Sequence, residues 1–171
     1  VGRLMPGMEY RTEAVPGIEK GGRFYIKGPN IMLGYLRVGA SGAIQPPEDG
    51  WYDTGDIIDM NEYGFMSIKG RAKRFAKVGG EMISLTALEE EIEKLWPGVM
   101  HAVVAVHNEY KGEQLMLVTE NQDARRDELA AFLKEEGYTE VSVPRKIITI
   151  EKMPLLGSGK TDYPSVQTLV E

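Results

Sequence analysis

The character of the sequence changes within residues 70–96, which read GRAKRFAKVGGEMISLTALEEEIEKLW. After the paired glycines of this stretch, apolar side chains recur at the spacing of a helix with one buried face: Leu85, Leu88, Ile92, Leu95 and Trp96. Thr86 and Glu89 have the spacing of a capping box, in which a hydroxyl and a carboxylate satisfy the free amides of a helix start. The acidic run 89–91 would then lie in the first turn, where carboxylates complement the helix dipole. Pro97-Gly98 ends the predicted helix.

The residues before this stretch have the composition of a β region. Turn-forming pairs occur at short intervals: Pro6-Gly7, Pro16-Gly17, Gly21-Gly22, Gly28-Pro29, Pro46-Pro47 and Asp49-Gly50. The runs between them are short and apolar or alternating, such as Phe24-Tyr25-Ile26 and Phe65-Met66-Ser67-Ile68, which is typical of short strands. Asn61-Glu62-Tyr63-Gly64 lies between two such runs and predicts a hairpin turn with glycine at the bulge position.

The residues after the helix alternate between strand and helix patterns. Buried strands are predicted at 102–106 and 115–118, with a turn at 109–112 between them. A second helix is predicted at 127–136, followed by a last strand at 146–150.

The fold class that follows is α+β. A boundary near Lys73 separates a short-stranded β subdomain, residues 1–72, from a small α+β domain, residues 73–171. The second domain is expected to have a three-stranded sheet with helices packed on it.

Composition narrows the functional classes. The chain has 171 residues, a formal net charge of -6, no cysteine and two histidines. The lack of cysteine excludes disulfides and thiolate chemistry, and two histidines are too few for a histidine-rich metal centre. His101 and His107 have no acidic or nucleophilic partner near them in sequence, so we interpret them as structural or surface residues. The acidic balance argues against a nucleic-acid partner, and no apolar run approaches the roughly 20 residues of a membrane helix.

The chain begins with Val1-Gly2-Arg3-Leu4, which lacks the apolar stretch of a signal peptide. Strand-like and turn-like sequence follows at once. We therefore expect this chain to be a fragment of a longer protein.

Lys160 lies in a glycine-rich loop, residues 154–162, which reads PLLGSGKTD. Its Gly-Lys-Thr is similar to that of a P-loop, but that motif needs a glycine at the position of Pro154 and a strand that leads straight into a helix. We therefore reject a P-loop. Glycines allow the backbone to swing, and a lysine there can deliver a compact ammonium group into the cleft of another domain. The alternative, which the loop by itself favours, is a solvated surface lysine.

Asp56 ends a second motif, residues 49–56, which reads DGWYDTGD. A carboxylate can accept hydrogen bonds from both hydroxyls of a ribose, so Asp56 is a candidate for nucleotide binding. The alternative is an ordinary turn, because Asp, Gly and Thr are common turn residues.

A third motif places four cations within seven residues: Arg71, Lys73, Arg74 and Lys77. Such a cluster could bind phosphate, and Gly79-Gly80 follows it. The alternative, favoured by this stretch in isolation, is a solvated linker with a hairpin turn.

Taken in order, these motifs resemble the adenylate-forming superfamily of acyl-activating enzymes. The matching elements are Tyr52-x-Thr54-Gly55-Asp56, Gly70-Arg71-x-Lys73, Lys77-x-x-Gly80, the glutamate-rich helix, and Pro154-x-x-x-x-Gly159-Lys160. Several elements in the right order are far more specific than any one motif, and the resemblance covers nearly the whole chain.

The resemblance implies a chemistry and a set of site residues. Members convert a carboxylic acid and Mg-ATP to an acyl-adenylate and pyrophosphate, and then pass the acyl group to a thiol or another nucleophile. At the matching positions, Asp56 would bind the ATP ribose hydroxyls, and Arg71 would lie close to the same ribose. Lys73 would be the hinge between adenylation and transfer, and Gly79-Gly80 would line the path of the pantetheine arm. Lys160 would be the catalytic lysine that neutralises charge between the carboxylate and the α-phosphate, and ATP and Mg2+ are the implied cofactors.

The resemblance also assigns the two domains. Residues 1–72 would be the distorted barrel subdomain at the end of the large N-terminal adenylation domain, and residues 73–171 the mobile C-terminal lid. The family's phosphate loop, acyl pocket and adenine-stacking aromatic would belong to the upstream adenylation domain, which is the implied partner of this chain. We therefore expect the chain alone to be inactive.

Two stretches, 70–85 and 153–160, look most like one branch of the superfamily, the bacterial bifunctional 2-acylglycerophosphoethanolamine acyltransferase / acyl-[acyl-carrier-protein] synthetases. That branch implies a multifunctional enzyme of phospholipid metabolism that uses fatty acid, ATP and acyl carrier protein. It would work at the cytoplasmic face of the bacterial inner membrane. Phe75, Ala76 and Gly79 depart from the wider family, which leaves the acceptor open between acyl carrier protein and coenzyme A.

Two other functions stay open from the sequence. One is a stand-alone acyl-CoA synthetase with coenzyme A as acceptor. The other is a non-catalytic module that docks the acidic acyl carrier protein, for which a basic surface is required. The cations of the third motif could supply that surface.

Overall fold

The computed structural model describes residues 1–39, 42–108 and 112–171. It divides into two compact units, Val1–Lys73 and Arg74–Glu171, which we call the first and second units. The division lies one residue after the predicted one. Most of the predicted turn at 109–112 falls outside the described residues.

The first unit is built from short antiparallel strands. They are β1 (Glu9–Glu13), β2 (Gly22–Lys27), β3 (Tyr35–Leu36), β4 (Ile44–Gln45), β5 (Tyr52–Met60) and β6 (Met66–Arg71). Four of them form a sheet in the order β1-β2-β5-β6, while β3 pairs with β4. The buried hydrophobic side chains described in this unit are Phe24, Ile57 and Ile58. These strands confirm the β-rich character predicted from the turn-forming pairs.

The turn between β5 and β6 shows why this pair forms a hairpin. The Asn61 side-chain oxygen accepts hydrogen bonds from the backbone amides of Tyr63 and Phe65, at 3.1 and 2.9 Å. Gly64 has a φ of 77°, in the left-handed region that glycine occupies most readily. The hairpin predicted at 61–64 is confirmed.

The second unit has strands and helices in alternation. They are β7 (Phe75–Val78), β8 (Glu81–Ser84), α1 (Leu85–Leu95), β9 (His101–Asn108), β10 (Gly112–Thr119), α2 (Arg126–Glu135), β11 (Lys146–Thr149) and α3 (Tyr163–Val170). A three-stranded sheet has the order β11-β10-β9, with β10 antiparallel to β9 and parallel to β11, and β7 and β8 form a separate hairpin. The α+β class and the three-stranded sheet are as predicted.

Both faces of the three-stranded sheet are covered. Successive residues of a strand point to opposite faces, and β9 follows this rule with buried side chains on both sides. Val103 packs with α1 and α2 in one apolar cluster, which includes Leu88, Ile92 and Leu129. Ala102 and Val104 belong to a second cluster on the other side, with Val118, Met153 and Val166. The second unit therefore has a layered core of its own.

The second cluster depends on α3, a helix that the sequence analysis missed. Asp162 caps this helix, since its carboxylate accepts from the Ser165 amide at 3.4 Å and from the Ser165 hydroxyl at 2.6 Å. Pro164 lies in the first turn, where its missing amide proton is no loss. A capping aspartate followed by proline is a helix-start signal, but the helix is short and its apolar pattern is weak.

The start of α1 differs from the predicted capping box. The cap is Ser84, whose hydroxyl accepts from the Ala87 amide at 3.2 Å. The helix begins at Leu85, so the acidic run 89–91 does not lie in its first turn. Glu89 does not cap the helix because its carboxylate points into the unit, toward Arg74.

His101 is a structural residue, as the sequence indicated. The ring is buried, with Nδ1 at 2.9 Å from the Thr119 hydroxyl and Nε2 at 3.0 Å from the Trp96 carbonyl oxygen. Both ring nitrogens are therefore occupied by contacts within the core. His107 is exposed.

Candidate functional site

Asp56 and Arg71 face each other in the sheet of the first unit. They are register partners in the antiparallel pairing of β5 with β6, and Arg71 Nε lies 3.0 Å from Asp56 Oδ1. Arg71 Nη1 also donates to the Thr54 carbonyl oxygen at 3.1 Å. The Asp56 side chain is 20% exposed and that of Arg71 66% exposed. The pair is therefore oriented by hydrogen bonds and still reachable from solvent.

The backbone beside Asp56 is held in an irregular conformation. The Thr54 hydroxyl donates to the Phe24 carbonyl oxygen at 2.9 Å and accepts from the Asp56 amide at 3.1 Å. Gly55 has a φ of 72°, and the pairing of β5 with β2 shifts register at this point. The motif thus forms a bulge within β5 and not the ordinary turn that was the alternative. Bulges re-aim side chains and are common beside active sites.

Asp53 fixes the other side of this bulge. It is paired with Arg23, whose Nε lies 3.2 Å from Asp53 Oδ1, and it accepts from the Gly55 amide at 2.9 Å. The hydrogen bond from Arg23 lowers the pKa of the Asp53 carboxyl below its usual range. Sequence reasoning had not singled out this aspartate or its arginine.

Lys160 is exposed and lies next to Thr161, at the base of a closed hairpin. Leu155 and Thr161 form a β-bridge, and the Leu156 amide donates to the Lys160 carbonyl oxygen at 2.8 Å. Gly159 takes a φ of 79°, which completes the reversal of the chain. Gly159 thus serves a hydrogen-bonded turn within the loop that the sequence marked as glycine-rich.

Gly79 and Gly80 form the two-residue connection between β7 and β8. Their φ angles are 60° and 92°, and two positive φ angles in succession fit the tight turn that joins twisted strands. A Cβ atom at Gly79 would lie 3.0 Å from Val141 Cγ1, whereas one at Gly80 would meet no atom within 4 Å. Both glycines are exposed, and the connection is as short as a hairpin allows.

The four cations of the basic stretch lie in different surroundings. Lys73, in the 3-10 turn Ala72–Arg74, is exposed, as are Arg71 and Lys77. Arg74 is different, because its side chain is only 14% exposed and is paired within the second unit. Of the four cations that could supply a basic docking surface, Arg74 is therefore the one that is largely buried and engaged inside its own unit.

Arg74 belongs to a polar cluster that the sequence analysis did not recognise, formed by Arg74, Glu89 and Tyr163. Arg74 Nη2 donates to Glu89 Oε1 at 2.6 Å and Nη1 to the Val103 carbonyl oxygen at 2.9 Å. The Tyr163 hydroxyl donates to Glu89 Oε2 at 2.9 Å, and the Arg74 guanidinium lies 3.8 Å from the centre of the Tyr163 ring. We call these three side chains the arginine–glutamate–tyrosine cluster.

Burial dominates the electrostatics of this cluster. It raises the pKa of the Glu89 carboxyl, although the Arg74 charge and the hydrogen bond from the Val103 amide act in the opposite direction. Burial and the neighbouring Glu89 charge raise the pKa of Tyr163 to about 12. Tyr163 therefore stays a hydrogen-bond donor at neutral pH, and Glu89 accepts from three donors.

The candidate residues divide between the two units. Asp56, Arg71 and Lys73 lie in the first unit, and the structure brings the first two into contact. Gly79, Gly80 and Lys160 lie in the second unit.

Comparison with known proteins gives relatives that include acyl-CoA ligases. The chain is 34% identical over 169 residues to the mitochondrial medium-chain acyl-CoA ligase ACSF2 of Mus musculus, covering 94% of this chain and 27% of that protein. It is 33% identical to a medium-chain fatty-acid–CoA ligase of Escherichia coli, covering 88% of this chain and 27% of the relative. No protein-family model matches the chain. The chain thus spans less than a third of the length of these relatives.

Solved structures give the same picture. ATP-bound MatB from Rhodopseudomonas palustris matches 99% of this chain and 35% of its own, with a TM-score of 0.76 and 25% identity. The amide bond synthetase McbA from Marinactinospora thermotolerans matches 100% of this chain and 36% of its own, with a TM-score of 0.75 and 25% identity. The homologues of this chain are therefore acyl- and aryl-activating ligases of the adenylate-forming superfamily, and the chain is similar to a part of such a ligase.

Proposed function

We propose that this chain is the C-terminal part of an ATP-dependent ligase that activates a carboxylic acid as its acyl-adenylate and then transfers the acyl group to a thiol. The observation that carries the proposal is the similarity to a medium-chain acyl-CoA ligase along 94% of the chain. In this proposal the first unit ends the large adenylation domain, and the second unit is the lid. The activity belongs to the complete ligase, and the chain alone is expected to be inactive.

Asp56 and Arg71 are proposed to bind the ribose of ATP. A carboxylate has two acceptor oxygens, and Arg71 Nε engages Oδ1 of Asp56, which orients the carboxylate toward a ligand. The exposure of the pair and the neighbouring bulge fit this assignment. Mg2+ enters the proposal only as the counter-ion that ATP would bring, and no residue of this chain is assigned to it.

Lys160 is proposed as the catalytic lysine. Its ammonium group would neutralise charge between the attacking carboxylate and the α-phosphate, and electrostatic stabilisation in a site that excludes water is usually the largest catalytic contribution. A hairpin fixed by backbone hydrogen bonds holds such a charge in place better than a free loop, because less conformational entropy is lost when the site forms.

Lys73 and the glycine turn are proposed to serve the transfer step. Lys73 is the last residue of the first unit and lies in a short 3-10 turn, which fits a hinge. Gly79 and Gly80 present a turn without side chains, which would leave room for a pantetheine arm.

The substrate is proposed to be a fatty acid and the acceptor thiol that of coenzyme A or acyl carrier protein. The relatives are named as coenzyme A ligases, which favours coenzyme A. The resemblance that favoured acyl carrier protein rests partly on Phe75 and Ala76. Ala76 is buried in the core, so packing is one reason for its identity.

Re-acylation of lysophospholipid at the cytoplasmic face of a bacterial inner membrane stays a prediction from the same resemblance. Within the part of the chain that the structure describes, no helix has both the length and the apolar character needed to cross a bilayer.

The test is Lys160→Ala in the complete ligase, with Lys152→Ala as the matched control, because Lys152 is also exposed and lies outside the hairpin. Fatty-acid-dependent ATP–pyrophosphate exchange is expected to fall by about a hundredfold or more in Lys160→Ala and to stay unchanged in Lys152→Ala. Thioester formation from supplied acyl-adenylate should survive in both. Undiminished exchange in Lys160→Ala would overturn the assignment.

The acceptor is decided by a parallel assay of the same protein. Coenzyme A and acyl carrier protein are supplied at equal concentration, and thioester formation is measured with each. A protein that binds acyl carrier protein but forms no adenylate would instead support the non-catalytic docking module.

A further inference from the structure

The arginine–glutamate–tyrosine cluster connects distant parts of the second unit. Glu89 lies on α1, Tyr163 begins α3, and Arg74 immediately precedes β7. The cluster also bonds the backbone of β9, where the Val103 amide donates to Glu89 Oε1 at 2.6 Å and the Val103 carbonyl oxygen accepts from Arg74. All three side chains are largely or partly buried, so the charges of Arg74 and Glu89 depend on each other.

Tyr163 is also close in sequence to Lys160. Between them, Thr161 forms the bridge with Leu155, and the Asp162 amide donates to the Pro154 carbonyl oxygen at 2.9 Å. The strand of the hairpin that carries Lys160 thus runs directly into the residue whose hydroxyl is bonded to Glu89.

The other end of the hairpin is anchored as well. Met153 is 2% exposed in the second apolar cluster, and its amide donates to Glu120 Oε1 at 2.6 Å. The Lys160 hairpin is therefore anchored at both ends, by apolar packing at Met153 and by a hydrogen bond at Tyr163. The polar anchor is the directional hydrogen bond from the Tyr163 hydroxyl to Glu89. It fixes the first residue of α3, and therefore the place where the hairpin joins the helix.

We propose that Tyr163 is a positioning residue for Lys160, held by Glu89 and Arg74. This inference rests on the proposed function, since it concerns the same lysine. Tyr163 touches no reacting group in the proposal. It acts by fixing the first residue of α3, and with it the hairpin from which the Lys160 ammonium extends.

Tyr163→Phe in the complete ligase tests this inference. The substitution removes only the hydroxyl and keeps the ring beneath Arg74, so the fold is expected to persist. Tyr138→Phe is the matched control, because Tyr138 is a partly buried tyrosine packed against the first apolar cluster of the same unit. Lys160→Ala is measured beside both.

We expect Tyr163→Phe to lower the kcat of adenylate formation roughly fivefold, the loss that corresponds to the typical net contribution of one hydrogen bond. The KM for ATP and thioester formation from supplied acyl-adenylate should not change. Hydrogen exchange at the Leu156 and Gly159 amides, which close the hairpin, should become faster. Tyr138→Phe should leave all of these quantities as they are.

The outcomes separate this inference from the proposed function. If Lys160→Ala loses adenylation while Tyr163→Phe keeps wild-type rates and wild-type hydrogen exchange, the positioning role alone is overturned. An equal loss in both half-reactions of Tyr163→Phe, with a lower melting temperature, shows a merely structural tyrosine and also overturns it. Full adenylation activity in Lys160→Ala refutes the proposed function first.

Discussion

The two units each contain an arginine–carboxylate pair, and the two pairs behave differently. In the first unit the Arg23 and Asp53 side chains are 40% and 35% exposed, and the arginine lowers the pKa of the aspartate. In the second unit Arg74 and Glu89 are 14% and 13% exposed, and burial raises the pKa of the glutamate despite its arginine. The pKa of a carboxylate paired with arginine is thus set by the arginine near the surface and by desolvation in the interior.

The two units also differ in how much hydrophobic surface they bury. Among its described residues the first unit buries few hydrophobic side chains, and Leu36 on β3 and Ile44 on β4 are exposed. The second unit has apolar clusters on both faces of its sheet. Burial of apolar surface is the main source of folding free energy, so we expect the second unit to be stable by itself and the first unit to need more protein around it.

Separate expression of the two units gives the largest expected effect. Residues 74–171 should unfold cooperatively in urea, with a free energy of unfolding of about 5 kcal/mol or more. Residues 1–73 should show no cooperative transition by circular dichroism. A cooperative transition of similar size in residues 1–73 would contradict the comparison of the cores.

Removal of one carboxylate from each pair gives the next largest effect. Glu89→Ala should lower the free energy of unfolding of the second unit by about 3 kcal/mol, because it leaves Arg74 buried without its anion. Asp53→Ala should cost about 1 kcal/mol at most, since exposed pairs contribute little. Urea unfolding of the complete protein, read by hydrogen exchange in β9 and β5, measures both.

Equal costs at the two positions would contradict this expectation. Glu91→Ala serves as the control, because its partner Lys94 is 60% exposed, so the loss of Glu91 leaves no buried cation behind and should change stability little.

The smallest effect is the dependence of stability on pH, which should have opposite signs in the two units. Asp53 has its pKa lowered from 3.8, so the stability it contributes is present above that value and is lost as the pH falls through the lowered pKa. Glu89 has its pKa raised from 4.5, so the folded second unit takes up a proton before the unfolded chain does. Its stability should therefore rise as the pH falls from the raised pKa toward 4.5.

Glu89→Gln isolates this second contribution, because the amide keeps the shape of the side chain and does not titrate. The rise in stability toward pH 4.5 should disappear in this variant. Carbon-detected NMR titration of the two carboxyl groups gives the pKa values directly, and a Glu89 value below that of an ordinary glutamate would refute the role given to burial.

The elements that the sequence predicted are those with strong local signals. The Asn61–Gly64 turn and the apolar spacing of α1 are encoded within a few residues, and both were found where expected. The register of β5 with β6, which places Asp56 opposite Arg71, is not encoded locally. It follows from pairing between strands, and only the motif order hinted that these two residues belong together.

The errors also have a common cause. Glu89 has the spacing of a capping residue, and Arg74 has the sequence context of a surface cation. In the folded unit the two side chains bind each other instead. The helix α3 was missed because its stability depends on Val166 packing against β9 and β10, which its own sequence does not reveal.

The fold class and a division near Lys73 could be predicted from periodicity and turn chemistry, and the candidate residues from the resemblance that the motif order carries. The burial of particular carboxylates, the pairing of Arg74 inside the second unit and the anchoring of the Lys160 hairpin became visible only in the folded chain. Those properties arise from contacts between residues distant in sequence, where desolvation and hydrogen-bond geometry outweigh local preference.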